Sequence, residues 1–221
     1  MIIGDPAKDK SDVLFRSPGK FIQSLNGKYI TAEDMGIGFK DLMCIREETK
    51  WVCGLPASVG GSGTPSSFTA FGVLRGMQAC AKEVFGSDSV EGKVIAVQGL
   101  GHVGYTLAKF VHKEGAKLIC SEHVNTEAAK KAKDELGATI VGKDDFYGVE
   151  CDIFAPCALR GILNDQTIPQ LKCQIVAGAA NNQLSVDERD GLAPARILHP
   201  LLPLTLTTIG IYEDRETKMR R

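Results

Sequence analysis

Three glycines directly after an apolar run are the residues of this chain with the clearest chemical meaning. The run at 93–98 has the composition of a buried strand, and the motif Gly99-Leu100-Gly101-His102-Val103-Gly104 follows it at once. Glycines at this spacing permit a tight turn, a close approach of the backbone to a pyrophosphate, and close packing of the next helix on the strand. The N–H groups and the positive dipole end of that helix attract phosphate oxygens. The pattern therefore predicts a dinucleotide-binding turn.

A second short apolar run ends in an acidic residue that would select the cofactor. Glu122 lies 23 residues after Gly99, close to the spacing of about 20 at which a carboxylate reaches the ribose hydroxyls. A carboxylate there repels the additional 2′-phosphate of NADP, so the sequence favours NAD. Glycines also mark ordinary turns, but here strand, glycines, helix, strand and acid occur in the order that a dinucleotide site requires. His102, inside the motif, is expected to be an exposed spacer without a role in proton transfer.

The composition excludes several classes of function. The 221 residues, 43% of them hydrophobic, suffice for one large domain or two small ones. A net charge of −1 and a pI near 6.4 give no electrostatic basis for a nucleic-acid partner. Seven cysteines, odd in number and scattered, favour neither a disulfide framework nor a metal site, and they fit a cytoplasmic protein. With no signal peptide and no apolar run of about 20 residues, no membrane partner is expected.

The order of the elements places the glycine motif in an α/β fold. Helical spacing predicts a long helix at 67–85, and after the motif the chain alternates between helices and short apolar strands. The predicted helices are at 102–114 and 126–136, and the predicted strands are at 117–121, 139–141, 151–155 and 174–177. This alternation predicts a Rossmann-like, doubly wound parallel sheet.

The first 65 residues show a different pattern. Pro18 interrupts a helical pattern at 11–25, which predicts two short helices, the second capped by Ser17. Tyr29 and Ile30 are predicted to form a short buried strand that leads into a polar turn. The glycine-rich stretch at 58–65 predicts a hinge or a linker.

Most of the chain resembles the family of glutamate, leucine, phenylalanine and valine dehydrogenases, and within it the members that act on leucine. The matching segments follow the family's order between Met1 and about Gly191; they are 2–6, 29–34, 63–66, 69–73, 92–99, 149–158 and 179–183. The resemblance implies a two-domain oxidoreductase. It would deaminate a branched-chain L-amino acid, with leucine favoured, to the 2-oxo acid and ammonia, with hydride transfer to NAD. It also implies a homo-oligomer, an octamer for the intact protein.

The resemblance assigns roles to individual residues. Asp34 would carry a proton to or from the amino nitrogen, while Ala32, Pro65 and Thr69 would shape the substrate pocket. Asn181 would contact the nicotinamide side of the cofactor. From the residues alone, each has an ordinary structural interpretation as well: Asp34 and Asn181 as turn residues, Pro65 as a loop residue, and Thr69 as a residue of a first helical turn.

Three departures from the family pattern bear on activity. The family's Gly-Gly-x-Lys motif would precede Met1, so the resemblance implies an N-terminally truncated chain that lacks two lysines. The family's Thr-Gly pair is Cys53-Gly54 here, and Cys53 is expected to be a buried small residue. From Ala193 onward the sequence diverges, which suggests a change of reading frame.

The resulting domain assignment has three parts: 1–62 as part of an α/β catalytic domain, 63–192 as the NAD-binding Rossmann domain, and 193–221 as a divergent tail. Because the lysine segment is missing, the alternative is a catalytically impaired NAD-binding module or subunit.

Overall fold

The computed structural model describes residues 4–5, 8–34, 36–158, 161–181 and 183–185, together with two short strands at 200–201 and 210–211. The chain divides into two compact units, Met1–Pro65 and Ser66–Arg221. The two short strands pair antiparallel. The rest of the divergent tail predicted at 193–221 lies outside the described residues.

Two helices form the core of the first unit. Helix α1 (Asp12–Ser24) begins after Ser11, whose Oγ accepts a hydrogen bond from the backbone N–H of Leu14 at 3.2 Å. Helix α2 (Phe39–Glu48) packs against it. The buried side chains between them form one cluster: Phe15, Ile22, Leu42, Cys44, Ile45 and Leu55.

Two sequence predictions for this unit are wrong. Helix α1 runs through Pro18 without a break at Ser17, because apolar packing against α2 outweighs the one backbone hydrogen bond that proline removes. Tyr29 and Ile30 are 54% and 52% exposed and form no strand. Backbone pairing here is confined, among the described residues, to an isolated parallel bridge at Thr31, so there is no sheet to cover the two side chains.

Five parallel strands form the centre of the second unit. They are β1 (Val94–Gln98), β2 (Lys117–Ser121), β3 (Thr139–Ile140), β4 (Ile153–Pro156) and β5 (Ile175–Val176). Their order in the sheet is β3-β2-β1-β4-β5, which confirms the predicted Rossmann-like parallel sheet. After β1 the chain forms β2 on one side of β1, and it later forms β4 on the opposite side of β1. The crevice beyond the carboxyl ends of β1 and β4 is therefore the switch point at which such sheets bind ligands.

Three helices cover one face of this sheet. They are α3 (Ser66–Phe85), α4 (His102–Lys113) and α5 (Thr126–Leu136), and their buried residues join Ile95 and Val97 of β1 in one core. Ala96 of β1 belongs to a second cluster with Phe146 and Phe154, because successive strand residues point to opposite faces. The sheet is thus buried on both faces, as parallel sheets require.

Candidate functional site

Two of the three motif glycines are explained by the packing of the protein itself. Gly99 has a φ of +86°, and a Cβ built there would lie 2.9 Å from the Cβ of Ala158. In the first turn of α4, a Cβ on Gly104 would collide with the carbonyl oxygen of Gly99. These glycines let the chain reverse after β1 and bring α4 close to the strand.

Gly101, between them, has no such explanation. Its φ of −67° and ψ of −169° are open to any residue, and within the described ranges no heavy atom lies within 4 Å of a Cβ built on it. Gly101 is exposed and is the N-cap of α4, so its position offers no side-chain acceptor to the first N–H groups of that helix. Space and backbone donors at this point fit a bound pyrophosphate.

The Glu122 carboxylate is held against the same turn. Its Oε2 accepts a hydrogen bond from the backbone N–H of Leu100 at 2.7 Å. Its Oε1 accepts from the N–H groups of Val124 at 2.8 Å and Asn125 at 3.0 Å. Glu122 therefore links the turn after β1 to the turn after β2.

The strand register and the hydrogen bonds explain the position and the charge of this carboxylate. Gln98 lies opposite Ser121 in the β1–β2 ladder, so the residue after Ser121 emerges beside the glycine turn. Burial alone would raise the pKa of Glu122. The backbone donors outweigh burial and lower that pKa from its ordinary value of 4.5. The side chain is therefore ionised at neutral pH and directed to the edge where a ribose would lie.

The remaining motif residues serve the fold. Leu100 is 2% exposed, and Val103 packs against the main core. His102 is exposed on the turn, and its carbonyl oxygen accepts a hydrogen bond from Oγ1 of Thr106 at 2.7 Å.

Asn181 lies in the loop after β5, which the neighbouring strand β4 holds in place. The N–H of Ala180 donates to the carbonyl oxygen of Pro156 at 2.8 Å. A Cβ on Gly178 would collide with the backbone of Pro156, so this approach requires glycine. Asn181 is exposed, and its loop follows the same carboxyl edge of the sheet as the glycine turn.

Two segments with predicted substrate residues come together within the first unit. Ala32 and Asp34 follow the Thr31 bridge, and both are exposed. The Oγ1 of Thr64 donates to Oε2 of Glu33 at 2.6 Å, which ties the stretch containing Pro65 to the Asp34 segment. The turn after Asp34 is closed by its backbone, since its carbonyl oxygen accepts from the N–H of Ile37 at 2.9 Å. Thr69 belongs to the second unit, half-buried in the first turn of α3.

The prediction of a buried Cys53 is wrong, because its thiol side chain is exposed. The N–H of Cys53 donates to the carbonyl oxygen of Thr31 at 2.7 Å. Val52 packs against the core of the first unit, and in extended backbone the next side chain points away. Cys53 is therefore carried beside the segment that leads to Asp34.

Gln98 is a buried polar residue of this edge that sequence reasoning missed. It is 6% exposed, and its Nε2 donates to the phenolic oxygen of Tyr147 at 3.0 Å. Its Oε1 is buried and has no hydrogen-bond partner among the described residues. The sequence did contain a signal for this residue: Gln98 is the polar last residue of an otherwise apolar strand, directly before the glycine turn.

The described residues contain neither a metal site nor a membrane-spanning helix. In that part of the chain, no group of histidine, cysteine or acidic residues is arranged to hold a metal ion. Nor does any helix there combine the length and apolar character needed to cross a membrane.

Comparisons with known proteins identify one family of dehydrogenases as similar to this chain. Residues 60–127 match the family model for Glutamate/Leucine/Phenylalanine/Valine dehydrogenase. The chain is 59% identical over 191 residues to a leucine dehydrogenase of Thermoactinomyces intermedius, covering 86% of this chain and 52% of that protein. To a leucine dehydrogenase of Geobacillus stearothermophilus it is 59% identical over 184 residues, covering 83% and 50%.

A solved structure has a similar fold. The L-tryptophan dehydrogenase from Nostoc punctiforme aligns with a TM-score of 0.65 and 40% sequence identity, over 86% of this chain and 54% of that one. The chain spans about half the length of the curated relatives it matches.

Proposed function

The chain belongs, along the stretch that these matches cover, to the glutamate, leucine, phenylalanine and valine dehydrogenase family, and we propose that it acts as an NAD-dependent amino-acid dehydrogenase. The reaction is oxidative deamination of a branched-chain L-amino acid to its 2-oxo acid and ammonia. Leucine is the favoured substrate, since relatives at 59% identity are leucine dehydrogenases. The observation that carries the proposal is Gly101, a glycine that packing does not require, beside the ionised Glu122.

The described residues of the second unit fit the cofactor. The N–H groups at the start of α4 would bind the pyrophosphate, with Gly101 leaving room for it. Glu122 would accept hydrogen bonds from the hydroxyls of the adenosine ribose. The carboxamide of Asn181 can both donate to and accept from the nicotinamide carboxamide. When bound, NAD supplies the hydride acceptor. This assigns nucleotide binding to 63–192.

The first unit would supply the proton chemistry, which assigns substrate binding to 1–62. Asp34 would take a proton from the substrate nitrogen and return it, as a carboxylate does in general acid–base catalysis. Ala32 and Pro65 would line the substrate pocket of this unit. The Thr64–Glu33 hydrogen bond supports this assignment, because it fixes Pro65 relative to the Asp34 segment.

We further propose that the protein assembles from copies of itself in the cytoplasm, with an octamer as the expected form. Val13 and Phe21 of α1 are 75% and 66% exposed, and a second copy would cover such apolar residues. All seven cysteines are free thiols, which fits a reducing compartment.

Calorimetric titration with NAD tests the cofactor site directly. Gly101→Ala places a methyl group where no described atom would meet it, so folding and Tm are expected to be unchanged. NAD affinity is expected to fall at least about tenfold, equivalent to about 1.4 kcal/mol. Gly148→Ala is the matched control, since no described atom lies within 4 Å of its Cβ either. Equal NAD affinity in wild type and Gly101→Ala would contradict the proposed placement.

Leucine-dependent reduction of NAD, followed by the absorbance of NADH, tests the catalytic assignment. Wild-type turnover is expected to be abolished by Asp34→Asn, which keeps the shape of the side chain but cannot accept the proton. Valine and isoleucine, assayed in parallel, rank the substrates. NAD binding without turnover of any of the three would favour the non-catalytic binding module instead.

A further inference from the structure

Two cysteines that are far apart in sequence lie opposite each other at the amino ends of β4 and β5. Glu150 is bridged to Lys172, and Ile153 pairs with Ile175, in one parallel register. The same register puts Cys151 opposite Cys173. Neighbouring strands are about 4.8 Å apart, within the range of Cα separations of about 4.4–6.8 Å that a disulfide spans.

The two side chains lie on the same face of the sheet. Cys151 and Cys173 both belong to the apolar cluster on the sheet face opposite α4. An ion pair between Lys172 Nζ and Glu150 Oε1, at 2.9 Å, joins the adjacent residues of the same two strands. The strand register therefore keeps the two cysteine side chains next to each other.

The surroundings give the two cysteines different chemistry. The pKa of Cys173 is lowered by the neighbouring Cys151 thiol and by backbone N–H groups, against the effect of burial. The pKa of Cys151 is raised by the neighbouring Cys173, by burial and by the acidic residues Asp152 and Glu150. Cys173 is the nucleophile of the pair, since the thiolate is the reactive form of cysteine. Cys151 holds the proton and is the more exposed of the two.

We infer that Cys151 and Cys173 form a peroxide-responsive dithiol that closes reversibly to a disulfide. The Cys173 thiolate attacks one oxygen of hydrogen peroxide. An S–O bond forms, the O–O bond breaks, and hydroxide leaves, so sulfur is oxidised and the peroxide reduced. The Cys151 sulfur then attacks the Cys173 sulfur, the S–O bond breaks, and the oxygen leaves as water with the Cys151 proton. The sum is two thiols and one peroxide giving one disulfide and two waters.

The other two cysteines of the sheet region, Cys120 and Cys157, do not form an equivalent pair. Cys120 of β2 and Cys157 after β4 lie on either side of β1 in the sheet, and two strand spacings, about 10 Å, exceed the reach of a disulfide. Cys53 is the exposed thiol that competes for oxidant, but it lies in the other unit. The proposal therefore predicts one specific cross-link.

Peptide mapping of the reduced full-length chain after treatment with hydrogen peroxide tests the inference. The expected result is a disulfide that joins the Cys151 and Cys173 peptides, accompanied by the loss of two hydrogen atoms and reversed by dithiothreitol. Cys157→Ser is the matched control and keeps the link. The absence of this link while Cys53 is oxidised in the same sample would overturn the inference.

Two serine variants test the order of the steps. Cys151→Ser is expected to accumulate a sulfenic acid at Cys173, trapped by dimedone, because the resolving thiol is gone. Cys173→Ser is expected to lose both the cross-link and the trapped adduct. A sulfenic acid that forms on Cys151 in preference to Cys173 would overturn the assignment of the nucleophile. The mapping of the wild-type chain decides the inference even where a variant fails to fold.

Discussion

At the scale of single residues, the site depends on where backbone donors and open space are placed rather than on an unusual side chain. Glu122 is an ordinary carboxylate whose charge is fixed by N–H groups from two turns. Gly101 matters through the side chain that it lacks. Neither residue alone is specific to a dinucleotide site. The combination is specific because the β1–β2 register brings the end of β2 to the turn after β1.

The depressed pKa of Glu122 predicts how the stability of the protein changes with pH. The ordinary pKa is 4.5 and the folded pKa lies below it. The ionised carboxylate therefore contributes stability above about pH 4.5 that is lost as the pH falls through the folded pKa. Glu122→Gln removes this contribution, so its Tm is expected to be lower than wild type at pH 7 and to approach wild type in acid.

Thermal unfolding between pH 3 and pH 7 measures this difference. Glu127→Gln is the matched control: Glu127 lies on the exposed surface of α5 and, among the described residues, forms an ion pair with Lys131 at 3.1 Å, of a kind that adds little stability. A Tm difference between wild type and Glu122→Gln that stays constant over the whole pH range would contradict the role given to the ionised carboxylate.

At the scale of elements, replacing either of two helical glycines by alanine is expected to change the stability of the protein in opposite directions. A Cβ on Gly19 of α1 would lie 3.0 Å from the carbonyl oxygen of Ile45 and 2.9 Å from the Cβ of Glu48. Gly19→Ala is therefore expected to push α1 away from α2 and to cost about 1–3 kcal/mol. A Cβ on Gly72 of α3 meets no described atom within 4 Å. Gly72→Ala should stabilise the chain by about 0.5–1 kcal/mol, because alanine loses less backbone entropy in a helix.

Urea unfolding of the two variants compares them under one condition. The two substitutions add the same atoms to the same kind of element, so the difference isolates the contact at the α1–α2 crossing. Stability changes of the same sign would show that this close approach does not control the packing of the first unit.

The elements that were predicted correctly from the sequence are those that depend on neighbouring residues in the chain. In the second unit, the predicted helix ends at residues 85 and 136 are confirmed. Each helix is followed by a glycine with positive φ, 77° at Gly86 and 63° at Gly137, and a left-handed glycine is a local signal. The strand Lys117–Ser121 was predicted with its observed bounds.

The failures depend on tertiary partners that local sequence does not reveal. The continuity of α1 through Pro18 and the exposure of Tyr29 are decided by what packs against them. Cys151 lies opposite Cys173 because of the β4–β5 register. The two cysteines are 22 residues apart in sequence, and that spacing does not predict the register. The exposure of Cys53 depends in the same way on the direction in which Val52 packs.

At the scale of the whole molecule, the two units carry different proposed tasks and different surfaces. The residues proposed for the nucleotide lie in Ser66–Arg221, while Asp34 and most of the large exposed apolar side chains lie in Met1–Pro65. On α1 the exposed Val13 and Phe21 lie away from the face formed by Phe15, Gly19 and Ile22, which packs in the core. Two large exposed apolar side chains on the outer side of this helix fit burial against another copy of the chain.

Phe21→Asp tests this interpretation of the outer face of α1. A carboxylate on that face opposes burial of apolar area worth about 25 cal/mol per Å², so the variant is expected to shift the protein toward smaller species while its helix content stays the same. Analytical ultracentrifugation over a concentration series, without nucleotide, measures the shift. Val124→Asp is the control, because Val124 is 95% exposed but lies in the second unit after β2. If both variants and the wild type sediment alike, α1 is not the surface through which copies associate.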